Sequence, residues 1–262
     1  ANNAISASSA TFTAREIGVA DTTAPTITFS PADSATGVTI GSNLTLTFSE
    51  AIRNNDNTVI TDANVGSLIT LKTTNSSGVN ISFAASINTA KTVITINPTS
   101  DFSSEQVIYV AIGSTVEDTS DNTNTASSIT FTAIDSITPT VKFSPLNGAT
   151  DVPEGSVIEL EFSEAMRRAS DDALITDSIA KGFITLKTTN SSGSDIDFGA
   201  TYNLTTKMIT ITPDSDFSSE QVVYVAIGNT VEDDANNAIS ASSATFTVRE
   251  IGATDTTAPS IT

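Results

Sequence analysis

Carboxylates are the main chemical resource of this chain. Its 262 residues carry 30 Asp and Glu against 11 Lys and Arg, with no histidine and no cysteine. Without His or Cys there is no Ser-His or Cys-His nucleophile, no thiolate metal site and no disulfide, and the commonest transition-metal ligand is missing. What remains is hard oxygen chemistry. Acids recur at corresponding places: Asp21, Glu50, Glu117 and Asp118 in the first half, Asp135, Glu164, Glu232 and Asp233 in the second. Around them stand Asp56, Asp62 and Asp121, and then Asp171, Asp172, Asp177 and Asp234. Calcium takes about six to eight oxygens from carboxylates, carbonyls and water, so these eight acids are the expected metal ligands and calcium the expected cofactor. The competing reading makes them solvated loop acids, with Glu50 and Glu164 bonded to backbone amides. A paired-acid glycoside hydrolase would use the same groups. Acids duplicated in two halves, no Trp and only three Tyr argue against a single catalytic cleft, and no enzyme is expected. The formal charge of −19 repels nucleic acid and anionic membranes. No apolar run approaches the ~18 residues of a membrane helix.

The elements that must position these acids are strands in repeated units. Leu71-Lys72-Thr73-Thr74-Asn75-Ser76-Ser77-Gly78 returns 115 positions later as Leu186 to Gly193, and Asp101-Phe102-Ser103-Ser104-Glu105-Gln106 returns from Asp216 at the same spacing. Residues 1–28 return almost unchanged as 235–262, which reads as a piece of an alternating two-module array with ends inside units. Within a unit the apolar period is two: Leu44, Leu46 and Phe48 alternate with Thr, and Ile158, Leu160 and Phe162 alternate with Glu. That is the pattern of a half-buried strand. Further strands are predicted near 25–30, 68–73, 80–85, 92–97, 106–112 and 127–133, with a helical turn near Asp62–Ser67 and counterparts downstream. Val107 to Ile112 is apolar on both faces and reads as a central strand. The fold expected is all-β: tandem Ig-like Greek-key β-sandwich domains of about seven strands each. The boundaries expected are 1–14 (final strand of a preceding repeat), 15–24 (linker), 25–134 (repeat 1), 135–138 (linker), 139–249 (repeat 2) and 250–262 (linker and start of the next repeat). Consecutive strands of such a sandwich run between opposite poles. The entering linker, the second-to-third strand loop and the sixth-to-seventh strand loop then share one pole, which gathers the acids named above. Phe102 and Phe217 are expected to plug the other pole, and Arg53, Arg167 and Arg168 to pair with acids nearby.

Phe29-Ser30-Pro31, Gly37-Val38 and Leu46-Thr47-Phe48-Ser49-Glu50-Ala51-Ile52 resemble the opening of the bacterial Ig-like domain of the SbsA type. Ser144-Pro145, Gly148 to Pro153 and Phe162-Ser163-Glu164-Ala165-Met166 match it in the second unit. Val116-Glu117-Asp118 and Val231-Glu232-Asp233, each leading to a Thr-Phe-Thr strand, resemble its closing motif. Where the family carries Gly-Asn after the loop Asp, this chain has Asp121-Asn122 and Asn236-Asn237. The resemblance implies a secreted or cell-surface, extracellular setting and a spacer, lattice or binding-arm role. The expected function is a non-catalytic repeat in the extended stalk of a bacterial surface adhesin, rigidified by calcium at domain junctions. The alternatives are a self-assembling S-layer, sheath or filament protein, and an accessory spacer module of a secreted enzyme. Expected partners are neighbouring repeats of the same chain, with homotypic lateral contacts or strand addition by residues 1–14, and neither nucleic acid nor membrane insertion.

Overall fold

The computed structural model describes residues 20–250 and 252. The chain divides after Ile134 into two compact units. In the first, the strands are β1 (Ile27–Ser30), β2 (Leu44–Phe48), β3 (Arg53–Asn54), β4 (Ile69–Thr73), β5 (Phe83–Ile87), β6 (Val93–Pro98), β7 (Val107–Ile112), β8 (Val116–Glu117) and β9 (Ser127–Thr132). They form a four-stranded sheet, β1-β2-β6-β5, and a three-stranded sheet, β4-β7-β9, with β3 and β8 as a separate ribbon. The period-two pattern explains the packing. Leu44, Leu46 and Phe48 are buried while Thr45 and Thr47 point outward. Val107 to Ile112 forms β7, the middle strand of its sheet, between β4 and β9.

The second unit repeats the plan. Its strands are β10 (Val141–Ser144), β11 (Ala149–Val152), β12 (Ile158–Phe162), β13 (Arg167–Arg168), β14 (Ile184–Thr188), β15 (Phe198–Asn203), β16 (Met208–Pro213), β17 (Val222–Ile227), β18 (Val231–Glu232) and β19 (Ser242–Val248). The sheets are β10-β12-β16-β15 and β11-β19-β17-β14, with a β13-β18 ribbon. Strand β11 runs parallel to β19; in the first unit that pairing shrinks to one bridge, Val38 to Ala133. Each unit encloses its own core, one around Leu46, Ile94 and Phe131, the other around Leu160, Ile209 and Phe246. Two sheets with apolar inner faces bury their side chains against each other, which makes each unit a sandwich in the all-β, Ig-like class.

The fold departs from the sequence reading in detail. The strand expected at 80–85 starts at Phe83, because Ile81 N–H still donates to the Leu71 carbonyl of the opposite sheet. The chain then crosses over to pair with β6. The helical turn is a 3-10 turn over Val65–Leu68 in the first unit, and a short helix, Asp177–Ala180, leading into a 3-10 turn, Lys181–Phe183, in the second. The ribbons β3-β8 and β13-β18 escape sequence reading because two residues show no period. Residues 1–14, assigned to strand addition, lie outside the described residues.

Candidate metal centre

The site is built where the chain enters each unit. After β8 the loop folds back on Asp118, which is almost wholly buried, at 1 % exposure. Its Oδ1 accepts hydrogen bonds from Ser120 N (2.7 Å) and Asn122 N (2.9 Å), and its Oδ2 accepts one from Asn122 Nδ2 (2.8 Å). Asn122 Nδ2 also donates to the Asp21 carbonyl at 3.1 Å, tying the entering segment to this loop. Ser49, at the end of β2, ties it a second time: Oγ accepts from Thr26 N, and its own N–H donates to the Thr26 carbonyl, both at 3.0 Å. These ties bring Asp21, Glu50 and Asp118 together, with one carboxylate oxygen of each within 4.8 Å of the others.

The second unit repeats this construction. Asp233 is fully buried and accepts from Ala235 N, Asn237 N and Asn237 Nδ2 at 2.8 to 2.9 Å. Asn237 Nδ2 reaches the Asp135 carbonyl at 3.2 Å, and Ser163 binds Thr140 as Ser49 binds Thr26. Asp135, Glu164 and Asp233 form the second triad within the same 4.8 Å.

The electrostatics follow from crowding like charges. Burial pushes the Glu50 carboxyl above its usual range, and Asp118 and Asp21 push it further. Glu164 is raised by burial, then by Asp233, Asp135 and Asp234, against one hydrogen bond from Ser163. Burial also opposes the charge of Asp118, but the hydrogen bonds from Asn122 and Ser120 and the nearby Arg53 outweigh it and hold its pKa low. The first triad therefore combines a carboxylate held in its ionised form, Asp118, with a reluctant one, Glu50; in the second the reluctant group is Glu164. Three such oxygens, with carbonyls and water to fill the shell, fit a hard divalent cation of calcium's type.

The other expected ligands lie elsewhere. Glu117 and Glu232 are not drawn into the triads; they face Arg53 and Arg167 across the ribbons, at 3.0 and 3.3 Å. Asp121 pairs with Arg53, Asp171 with Arg168, and Asp172 lies 3.8 Å from Arg167. Asp56 caps its own turn at Thr58. Asp62 and Asp177 accept the outward N–H groups of Ile87 and Tyr202 on the edge strands. Phe102 and Phe217 are buried, each edge-on to Phe131 or Phe246. Asn122, Asn237, Ser49 and Ser163 stand in the motifs quoted from the sequence but carry no role there; an Asn four residues after the loop Asp recurs in both units.

A family model described as "Bacterial Ig-like domain" matches residues 21–133 and again 135–248. No curated protein sequence matches the chain. Similar solved structures include Titin-A168169 (10% identity, covering 87% of this chain and 98% of that one, TM-score 0.32). The N-terminal part of the bacterial S-layer protein SbsC is 10% identical, covering 85% of this chain and 44% of that one, with a TM-score of 0.32. The BSP domain of a biofilm associated protein is 14% identical, covering 90% of this chain and 30% of that one, with a TM-score of 0.23. The chain thus spans less than half the length of the last two, and at these TM-scores none of the likenesses carries an argument.

Proposed function

This chain belongs to the bacterial Ig-like domain family, and from that premise we propose that it is a non-catalytic section of an extracellular stalk, stiffened by calcium where the chain enters each unit. Its assignment to the SbsA type, its place at the bacterial surface and its service to an adhesin are parts of the same reading. The observation that supports it is the recurrence of one carboxylate triad, Asp21-Glu50-Asp118 and Asp135-Glu164-Asp233, at the same place in both units. A divalent cation there would neutralise the repulsion and join the entering segment to two loops of the sandwich. Asp135 is the first residue of the second unit, so the ion would grip the chain at the point of connection. Repeats braced this way hold a terminal binding domain at a distance set by their number.

Calcium binding to the folded state alone contributes about 2.7 kcal/mol at a hundredfold excess over Kd. Melting is therefore expected to shift upward by several degrees in calcium relative to EDTA, and small-angle scattering to show a monomer that is stiffer in calcium. An identical melting temperature in both would refute the calcium brace.

The self-assembling alternative has one observation in its favour. Ser30, Thr45, Thr95 and Ser86 form an uncharged row across the outer face of β1-β2-β6-β5, beside Thr28, Thr47 and Val93. In a chain of charge −19 such a face lets copies approach without repulsion. Growth of the scattering particle with concentration would favour lateral assembly over the stalk.

A further inference from the structure

The asparagine amides of the two sites do a task that needs no cation. Asn237 Nδ2 contacts Asp233 Oδ2 at 2.9 Å and the Asp135 carbonyl at 3.2 Å. An amide NH2 has two protons, one for each acceptor. The side chain is preset for this, because the Asn237 backbone N–H is held by Asp233 Oδ1 at 2.8 Å. The residue before it, Asn236, sits at φ 70°, in the left-handed region that Asn and Asp tolerate better than other non-glycine residues, and so turns the chain back toward Asp233. Asn122 repeats the arrangement on Asp118 and the Asp21 carbonyl, after Asp121 at φ 67°.

The position of the gripped residue gives the contact its meaning. Ile134, the last residue of the first unit, donates its N–H to the Val38 carbonyl at 2.8 Å. Asp135 follows directly and is held by Asn237. A single peptide bond therefore separates a residue anchored in the first unit from one anchored in the second.

We infer that Asn237 is a pin that keeps the connection between the units short, whether or not the carboxylates hold a cation. Asn122 does the same for the chain entering the first unit. The inference rests on hydrogen bonds alone, so a failed calcium titration would leave it standing, and its own failure would leave the calcium reading standing.

The test uses the full chain in EDTA. It has no native cysteine, so Val79→Cys and Leu204→Cys, both at exposed positions (74% and 51%), place one spin label on each unit. The inter-label distance distribution is then compared among this parent, Asn237→Ala and Asn122→Ala. The expected result is a distribution broader than the parent's in Asn237→Ala and one unchanged from the parent's in Asn122→Ala, because Asn122 grips a segment ahead of both labels. An unbroadened distribution in Asn237→Ala, or equal broadening in both variants, overturns the pin. Should Asn237→Ala unfold the second unit, Asn237→Asp replaces it: it keeps the size and removes the side-chain donors. A folded Asn237→Asp with the parent's distribution unchanged also overturns it.

Discussion

Glu164 shows how a single residue can cost stability in the absence of a metal ion. Burial first, and then Asp233, Asp135 and Asp234, raise its folded pKa above the unfolded value, so the native state binds more protons than the unfolded one. The penalty is present at neutral pH and disappears as pH falls through the raised pKa toward the ordinary carboxylate range of about 4. In EDTA the second unit is therefore expected to melt higher as pH falls from neutral toward the ordinary carboxylate range. Glu164→Gln should raise the melting temperature of the second unit at neutral pH, flatten that rise and remove this unit's response to calcium, leaving that of the first unit. Calorimetry of parent and variant decides this, and a variant no more stable than the parent would count against it. Asp118 has the opposite sign: its lowered pKa contributes stability at neutral pH that is lost in more acid solution, as pH falls through that value. Glu117 poses a different problem. It is 5 % exposed and leans on Arg53. Arg53→Met would leave a buried charge without its partner and should cost about 3–5 kcal/mol in urea unfolding. Adding Glu117→Gln should recover part of the loss.

Among the elements, the loop after β4 and its copy after β14 have the least room for change. A Cβ on Gly78 or Gly193 would lie 1.6 Å from the carbonyl oxygen of Thr73 or Thr188. The blocking group is a backbone carbonyl, which cannot rotate away as a side chain could, so Gly78→Ala and Gly193→Ala should each cost more than about 3 kcal/mol. Gly182 has nothing within 4 Å of its Cβ position, and its φ lies outside the left-handed range. Gly182→Ala is expected to stay within about 1 kcal/mol of the parent. Denaturant unfolding of the three variants gives the comparison, and a mild Gly193→Ala would contradict the steric account. At the opposite end of each sandwich, Phe102 and Phe217 pack edge-on to Phe131 and Phe246 with the same 5.7 Å ring separation. Phe217→Ala should cost about 3–5 kcal/mol through the cavity it leaves. The edge strands β5 and β15 are capped by Asp62 and Asp177, which occupy backbone donors that would otherwise invite another strand.

At the scale of the whole molecule, two separate cores predict that each unit folds by itself. Residues 135–250 expressed alone should melt cooperatively, at a temperature matching one transition of the full chain; an unfolded fragment would show that the units depend on each other. Much of this organisation is legible in the sequence, because it is local information repeated. Alternation at period two marks the strands, and recurrence at 115 positions sets the number of units. Together they determined an all-β chain of two sandwiches, and strand polarity predicts Asp21, Glu50, Glu117 and Asp118 at one pole, where Asp21, Glu50 and Asp118 lie together. The tertiary structure alone decided which neighbouring acids share that place. Glu117 and Asp118 are adjacent in the chain, yet one faces Arg53 and the other the triad, because side chains on extended backbone alternate in direction. The ribbon register that pairs Arg53 with Glu117 joins residues 64 apart, and the Asn122 contact with Asp21 spans 101. Neither leaves a periodic trace in the sequence, since both are set by how loops pack once the sheets have formed.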